Sequence, residues 1–203
     1  MLKNIFMTRN YIEIWIKKMI DKKKRILEIA VQKKALEFGK FTLTSGEKSS
    51  YYFDGRKLTL DPEANHLISE IFLPIVIASG SQFIGGPTMG ADPIVGAVIS
   101  LSFKNKTPVS GLIIRKETKS HGQQNLIEGN PVRGESVVIV DDTCSTGGSL
   151  IHSIAAVEKF GCSVNTVLCV LDRNMGGSDK IKESGYKFLS IFSTNSDGEL
   201  NIN

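Results

Sequence analysis

The sequence predicts an α/β fold, a parallel central sheet flanked by helices. Three observations carry this expectation. From Gln82 onward, strand-like and helix-like segments alternate, the succession that right-handed βαβ units produce. The run Ser136–Val140 (SVVIV) is largely β-branched and does not alternate with polar residues, which suits a parallel strand buried on both faces. Glycine follows the helical pattern of Ser149–Phe160 at Gly161, where a C-cap belongs.

The elements follow in order. Apolar residues recur at helical spacing from Lys22 to Phe38 (Ile26, Ile29, Ala30, the stem of Lys33, Leu36), with Gly39 as the expected cap. Phe41–Thr44 and Ser50–Asp54 read as short strands around the turn-rich SGEKS. Asp61-Pro62-Glu63 starts a helix, with Asp61 as N-cap and Pro62 at the first helical position. It runs toward Gly80, with a kink or interruption expected at Pro74. Then come a strand over Gln82–Gly86, a Gly/Pro loop (GGPTMGADP), a helix around Ile94–Phe103 and a strand over Val109–Lys116. A polar loop spans roughly residues 117–134. After the strand Ser136–Val140 and the helix Ser149–Phe160 follow a strand over Val164–Leu171, a short helix over Ser178–Ser184 and a last strand over Tyr186–Phe192. The polar tail from Thr194 to Asn203 is expected to fray.

Length and composition exclude several classes. A chain of 203 residues is enough for one compact domain, and 41% hydrophobic with 23% charged residues is ordinary for a globular protein rather than a disordered or fibrous one. The most apolar stretch, Ile71–Ala78, is far shorter than the roughly 18–20 residues of a membrane span. The cysteines Cys144, Cys162 and Cys169 are odd in number and form no CxxC pair, so a reduced cytoplasmic protein without a disulfide framework or a cysteine-based zinc site is expected. The net charge of +4 is uneven: residues 1–40 hold 11 basic and 4 acidic residues. Residues 1–21 form a basic extension of open role. The run Lys22–Arg25 can meet nucleic acid or anionic lipid, but nothing aromatic is interleaved with it, and a solvated helix face is the preferred reading.

The strongest chemical signal is VVIVDDTCSTGGSL, Val137–Leu150. A buried strand ends in two adjacent carboxylates, Asp141 and Asp142, followed by a loop of small residues and a helix that begins near Ser149. Ligands of open parallel sheets sit beyond the carboxyl ends of the strands. Small residues let consecutive amides turn inward as an anion nest, and the following helix N-terminus adds partial positive charge. The hydroxyls of Thr143, Ser145, Thr146 and Ser149 can donate as well. Two carboxylates would repel a phosphate, yet they accept strongly from hydroxyls. A sugar phosphate satisfies both halves. No lysine follows Gly148, so the Walker pattern is absent, and so is the GxGxxG fingerprint.

This segment resembles the phosphoribosyl pyrophosphate (PRPP) motif of the type I phosphoribosyltransferases. Four further stretches resemble the orotate phosphoribosyltransferases in particular: Phe41–Leu60 (FTLTSGEKSSYYFDGRKLTL), Gly85–Val98 (GGPTMGADPIVGAV), Arg115–Gly122 (RKETKSHG) and Leu171–Gly177 (LDRNMGG). Together they cover nearly all of Lys22–Ile191. The resemblance implies the type I phosphoribosyltransferase fold: a small N-terminal hood of helix and short strands, largely residues 22–60, over a core of roughly 61–193, with residues 194–203 as the tail. It implies transfer of ribose 5-phosphate from PRPP to orotate with Mg²⁺, giving orotidine 5′-monophosphate and pyrophosphate in pyrimidine synthesis. No protein cage is expected for the metal, which is held through PRPP oxygens and water.

The implied PRPP site comprises Arg115, Lys116, Lys119, His121, Asp141, Asp142, Thr143, Cys144, Ser145, Thr146, Gly147, Gly148 and Ser149, with Lys119 and Asp142 as the catalytic pair. Arg173 is implied to bind the orotate carboxylate, helped by Ser145 and the aromatics Tyr52 and Phe53. On its own chemistry Arg173 can equally pair with Asp172, and residues 51–53 can equally pack a strand. The cations of Arg115–His121 suit a lid over a polyanion, though a solvated basic loop has the same composition. In the family that lid reaches the neighbouring subunit's site, which implies a homodimer. The chain departs from some bacterial members in carrying Thr44 and Gly90 where they have lysines that contact PRPP or its pyrophosphate; in this branch backbone amides are expected to take over at Gly90. Two other functions share the motif: a purine or xanthine phosphoribosyltransferase, and a PRPP-sensing regulator without catalysis.

Overall fold

The computed structural model describes residues 9–42, 48–117, 126–195 and 199–203, with side chains from residue 13 onward. Helix α1 (Arg9–Gln32) leads into a two-stranded antiparallel hairpin, β1 (Leu36–Thr42) and β2 (Lys48–Phe53). A single turn, α2 (Arg56–Thr59), precedes α3 (Pro62–Ala78). The main sheet then alternates with helices: β3 (Phe83–Pro87), α4 (Asp92–Lys104), β4 (Ser110–Ile114), β5 (Ile127–Glu128), β6 (Ser136–Cys144), α5 (Gly148–Phe160), β7 (Ser163–Asp172), α6 (Gly177–Glu183), β8 (Lys187–Thr194) and β9 (Leu200–Ile202). Its seven strands lie in the order β5-β4-β3-β6-β7-β8-β9. The five inner strands are parallel, and β5 and β9 close the two edges antiparallel. The expected α/β architecture is therefore observed.

β6 explains why the sheet is buried on both faces. Val138 and Val140 belong to one apolar cluster with Ile26 of α1, Phe72 of α3 and Ile94 of α4. Val137 and Ile139 point into the other, with Leu150 and Ile154 of α5 and Ile181 of α6. Side chains that alternate in direction but not in polarity leave no solvent face. The ends of β6 and β7 are thus fixed by packing below them.

Three local expectations need correction. The first helix ends at Gln32 rather than Phe38, and Gly39 lies inside β1, at the register shift between Phe38 and Phe41. Lys34 turns the chain with φ of +52°, which frees Leu36 to pair with Phe53 across the hairpin. α3 runs through Pro74 without interruption: the proline lies on the exposed side, while Ile71, Phe72, Leu73 and Val76 bury the helix on both sides of it. Of the tail, the described Leu200–Ile202 is not frayed: it pairs with Phe192–Thr194 as β9. Gly161 does cap α5, at φ of +104°.

The entry to α3 is built as the sequence implies. Asp61 Oδ1 accepts from the amides of Glu63 at 3.1 Å and Ala64 at 3.0 Å, and Oδ2 pairs with Lys33 at 3.1 Å. These bonds hold the Asp61 carboxyl below its ordinary range, the Ala64 amide contributing most. Replacing Asp61 by Ala should cost about 1 kcal/mol and lower the melting temperature by roughly 2–4 °C, read by thermal denaturation against wild type.

Candidate active site

A cleft of about 570 Å³ opens at the carboxyl ends of β3 and β6, lined from several elements at once. β2 and the turn after it supply Tyr52, Phe53, Asp54, Gly55 and Arg56. The loop after β3 supplies Thr88, Met89 and Gly90, and the end of β7 supplies Arg173. Lys116 follows β4, and Asp141, Asp142, Thr143 and Ser149 come from β6 and the start of α5. A larger apolar cleft of about 1070 Å³ lies between α1, α3 and β8, but neither Asp141 nor Asp142 lines it.

The two acids stand at the centre. Asp141 is 6% exposed, and its Oδ1 accepts from the amide of Asp142 at 2.9 Å while its Oδ2 accepts from Ser149 Oγ at 3.1 Å. Burial, then the charge of Asp142, pushes the Asp141 carboxyl up to about 8. Burial raises Asp142 as well, against the opposing pull of its bond to Asp141 and of the Arg56 guanidinium. Near neutral pH the pair therefore keeps a proton.

The backbone presses on these carboxylates from two sides. A Cβ added at Gly90 would stand 2.4 Å from Asp141 Oδ1 and 2.8 Å from Asp142 Oδ1. One added at Gly55 would stand 2.7 Å from Asp142 Oδ2. Only glycine lets both turns approach this closely. The cleft offers no room for a side chain at 90 while the acids stay where they are.

The phosphate cradle is partly as expected. β6 extends to Cys144, so the loop proper is short, residues 145–147, and α5 starts at Gly148. No side chain caps α5 at Gly147, which leaves the first-turn amides for a ligand. Thr143 and Ser149 line the cleft, whereas Ser145, Thr146, Gly147 and Gly148 form the turn beside it. The Cys144 side chain is buried among the apolar residues of α5 and β7, with its thiol pushed up to about 12 chiefly by burial. Only the backbone of Cys144 is available, and its carbonyl already accepts from Arg173 N at 2.8 Å.

The remaining expected residues divide. Tyr52 and Phe53 line the cleft, and Tyr52 leans on Phe41 with ring centres 5.8 Å apart. Arg173 lines it too, while Asp172 accepts instead from Asn174 N at 2.9 Å. Lys116 faces the cleft, but Arg115 pairs with Glu128 at 3.3 Å and does not line it. The Arg115 carbonyl is 3.1 Å from His152 Nε2. Lys119, His121 and Thr44 lie outside the described residues. Reasoning from sequence missed Asp54, Gly55 and Arg56, although the tripeptide DGR directly after an aromatic strand was a visible signal. For Tyr51 the sequence carries no signal beyond its place in a run of aromatics.

Residues 60–196 match the phosphoribosyl transferase domain family. The chain is 34% identical over 175 residues to the orotate phosphoribosyltransferase of Streptomyces coelicolor, covering 86% of this chain and 96% of the relative. It is 35% identical over 167 residues to that of Rhodopirellula baltica, covering 79% and 86%. Among solved structures it is similar to the Mycobacterium tuberculosis orotate phosphoribosyltransferase in complex with Fe(III) dicitrate, with a TM-score of 0.71, 31% identity, and coverage of 85% of this chain and 96% of that one. The same mycobacterial enzyme in complex with 5-phospho-α-D-ribosyl 1-diphosphate is similar at a TM-score of 0.70 and 29% identity, with the same coverage.

The proton on the acids has a measurable consequence. Above its ordinary value of 3.8 the unfolded chain releases the Asp141 proton, whereas the folded chain holds it up to about pH 8. Stability conferred by this group is therefore greatest at low pH and is lost as pH rises from about 4 to about 8. An Asp141→Asn variant should lack this decline and melt above wild type at pH 8, with a smaller difference at pH 5. Melting curves at the two pH values decide it.

Proposed function

The chain belongs to the phosphoribosyltransferase family, among the orotate phosphoribosyltransferases, and we propose that it transfers the ribose 5-phosphate of PRPP to orotate, releasing pyrophosphate and forming orotidine 5′-monophosphate for pyrimidine synthesis. The observation that carries this reading is one cleft shared by the paired carboxylates at the end of β6 and the guanidinium at the end of β7. The first grips a diol, and the second matches a carboxylate in bidentate fashion.

The residues divide the work as follows. Asp141 and Asp142 accept from the ribose hydroxyls, replacing hydrogen bonds those hydroxyls made to water. The 5′-phosphate takes the amides of residues 145–149 and the hydroxyl of Thr143 at the open end of α5, the Ser149 hydroxyl being committed to Asp141. Orotate lies by Tyr52 and Phe53 with its carboxylate on Arg173. Holding both ends of the ribose fixes C1 beneath the base nitrogen, which removes most of the orientational cost of transfer. As the C1–O bond breaks, negative charge grows on the pyrophosphate, where Lys116 stands ready. In a homodimer, Lys119 and His121 of the lid join it at the neighbouring site, and the closed lid keeps water from capturing the cationic ribose. Orotate is already an anion, so no strong base is required.

The donor set fits Mg²⁺ only as a partner of the substrate. Among the described residues no group of three or more His, Cys, Asp or Glu could hold a metal. Asp142 and Asp54 are cleft carboxylates that would hold its water shell, and the ion would supply charge neutralisation at the diphosphate. Three free, buried cysteines agree with a cytoplasmic setting.

The direct test mixes purified protein with orotate, PRPP and Mg²⁺ and follows orotate absorbance. Loss of absorbance is expected, with no turnover of hypoxanthine or xanthine. Turnover of a purine base alone, or of nothing, would remove the assignment. A second expectation concerns Gly90. Replacing it by Lys, the residue of some bacterial relatives, should lower kcat/KM for PRPP at least about tenfold, because its Cβ alone intrudes on both carboxylates. Steady-state kinetics at varied PRPP would show this, and a gain in activity would contradict the geometry.

A further inference from the structure

A guanidinium offers a carboxylate two bidentate edges, one formed by Nη1 and Nη2 and the other by Nε and one Nη. At Arg173 the second edge is occupied. Its Nε donates to the Tyr51 hydroxyl at 3.0 Å, and its Cζ lies 5.2 Å from the centre of the Tyr51 ring. Tyr51 is only 6% exposed, unlike its neighbour Tyr52, and it does not line the cleft. Its hydroxyl also stands 3.4 Å from Thr194 Oγ1, which is 1% exposed at the end of β8. A phenol that accepts from Arg173 still has its proton to give, and Thr194 is there to receive it. The backbone of Arg173 is fixed in turn by its amide bond to the Cys144 carbonyl, two residues beyond Asp142.

We propose that Tyr51 is a positioning residue for orotate recognition: by holding Nε and stacking on the guanidinium, it presents only the Nη1/Nη2 edge of Arg173 to the carboxylate of the base. The inference deepens the proposed function and rests on the reading that Arg173 receives that carboxylate. It gives the hairpin a chemical task. β2 pairs with β1 and not with the main sheet, so the Thr194–Tyr51–Arg173 contacts tie the hairpin to the ends of β7 and β8. Without the phenol, the guanidinium can rotate about a long flexible stem and offer either edge.

The test is Tyr51→Phe, which keeps the ring and removes the acceptor. KM for orotate should rise about tenfold, the size expected for a lost hydrogen bond to a charged group, with KM for PRPP unchanged and kcat within about twofold. Discrimination between orotate and uracil, which lacks the carboxylate, should fall by a similar factor, a change that loosened packing alone would not make. Thr194→Val, which removes the outer anchor, should move orotate KM in the same direction by a smaller factor, and it decides the matter if the Phe variant does not fold. Equal rises in both KM values, or an unchanged orotate KM, would overturn the role of Tyr51. Arg173→Ala separates the two layers. If it leaves orotate KM intact, the carboxylate reading itself fails and this inference with it; if it raises KM while Tyr51→Phe does not, only the positioning role falls.

Discussion

Two carboxylates on consecutive residues at the end of a buried strand repel each other and lose water together, and the architecture around the cleft answers that cost. The fold supplies the burial, since both faces of β6 are packed by helices right up to the acids. The cost is met by a retained proton, by the Ser149 hydroxyl and by the amide of Asp142 itself. What remains unsatisfied is acceptor capacity directed at the cleft, the quality needed to take hydroxyl donors from a sugar. The same desolvation that raises the acids suits them, in the proposed function, to a neutral diol rather than to an anion, which would fall to the amides of α5.

The hairpin and the sheet divide recognition between them. Sheet strands bring Asp141, Asp142 and Arg173 to the cleft, while the hairpin brings Tyr52 and Phe53. Arg173 belongs to the sheet by its backbone and to the hairpin by its side chain. On the proposed function, selectivity for the base would be set where the hairpin meets the main sheet, and selectivity for the phosphoribosyl group within that sheet.

Much of this was legible in the residues, and the exceptions have physical reasons. SVVIV followed by DD and a run of small residues declares a buried strand, a pair of acids at its end and a short turn into a helix. The hairpin was harder to read. Apolar residues up to Phe38 continue a helical spacing, and only the left-handed turn at Lys34, a conformation lysine rarely adopts, shows that the helix has stopped. The polar sequence of the tail hid β9, whose pairing with β8 comes from backbone bonds rather than apolar side chains. Cys144 sits in a motif read as phosphate-binding, yet alternation along β6 turns its thiol into the core. The contact between Tyr51 and Arg173 joins residues 122 positions apart, and no local pattern reports it.

The close fit of Gly55 and Gly90 against the acids also bears on how this scaffold can be altered. Three stretches of chain must agree at that spot, so a change in one of them demands matching changes in the others. Directed evolution toward other acceptors would do best to leave both turns intact and draw its diversity from the exposed Tyr52. Tyr52 borders the cleft and stands clear of the close approach of Gly55 and Gly90 to the carboxylates. The grip on the sugar would then stay constant while the acceptor changes.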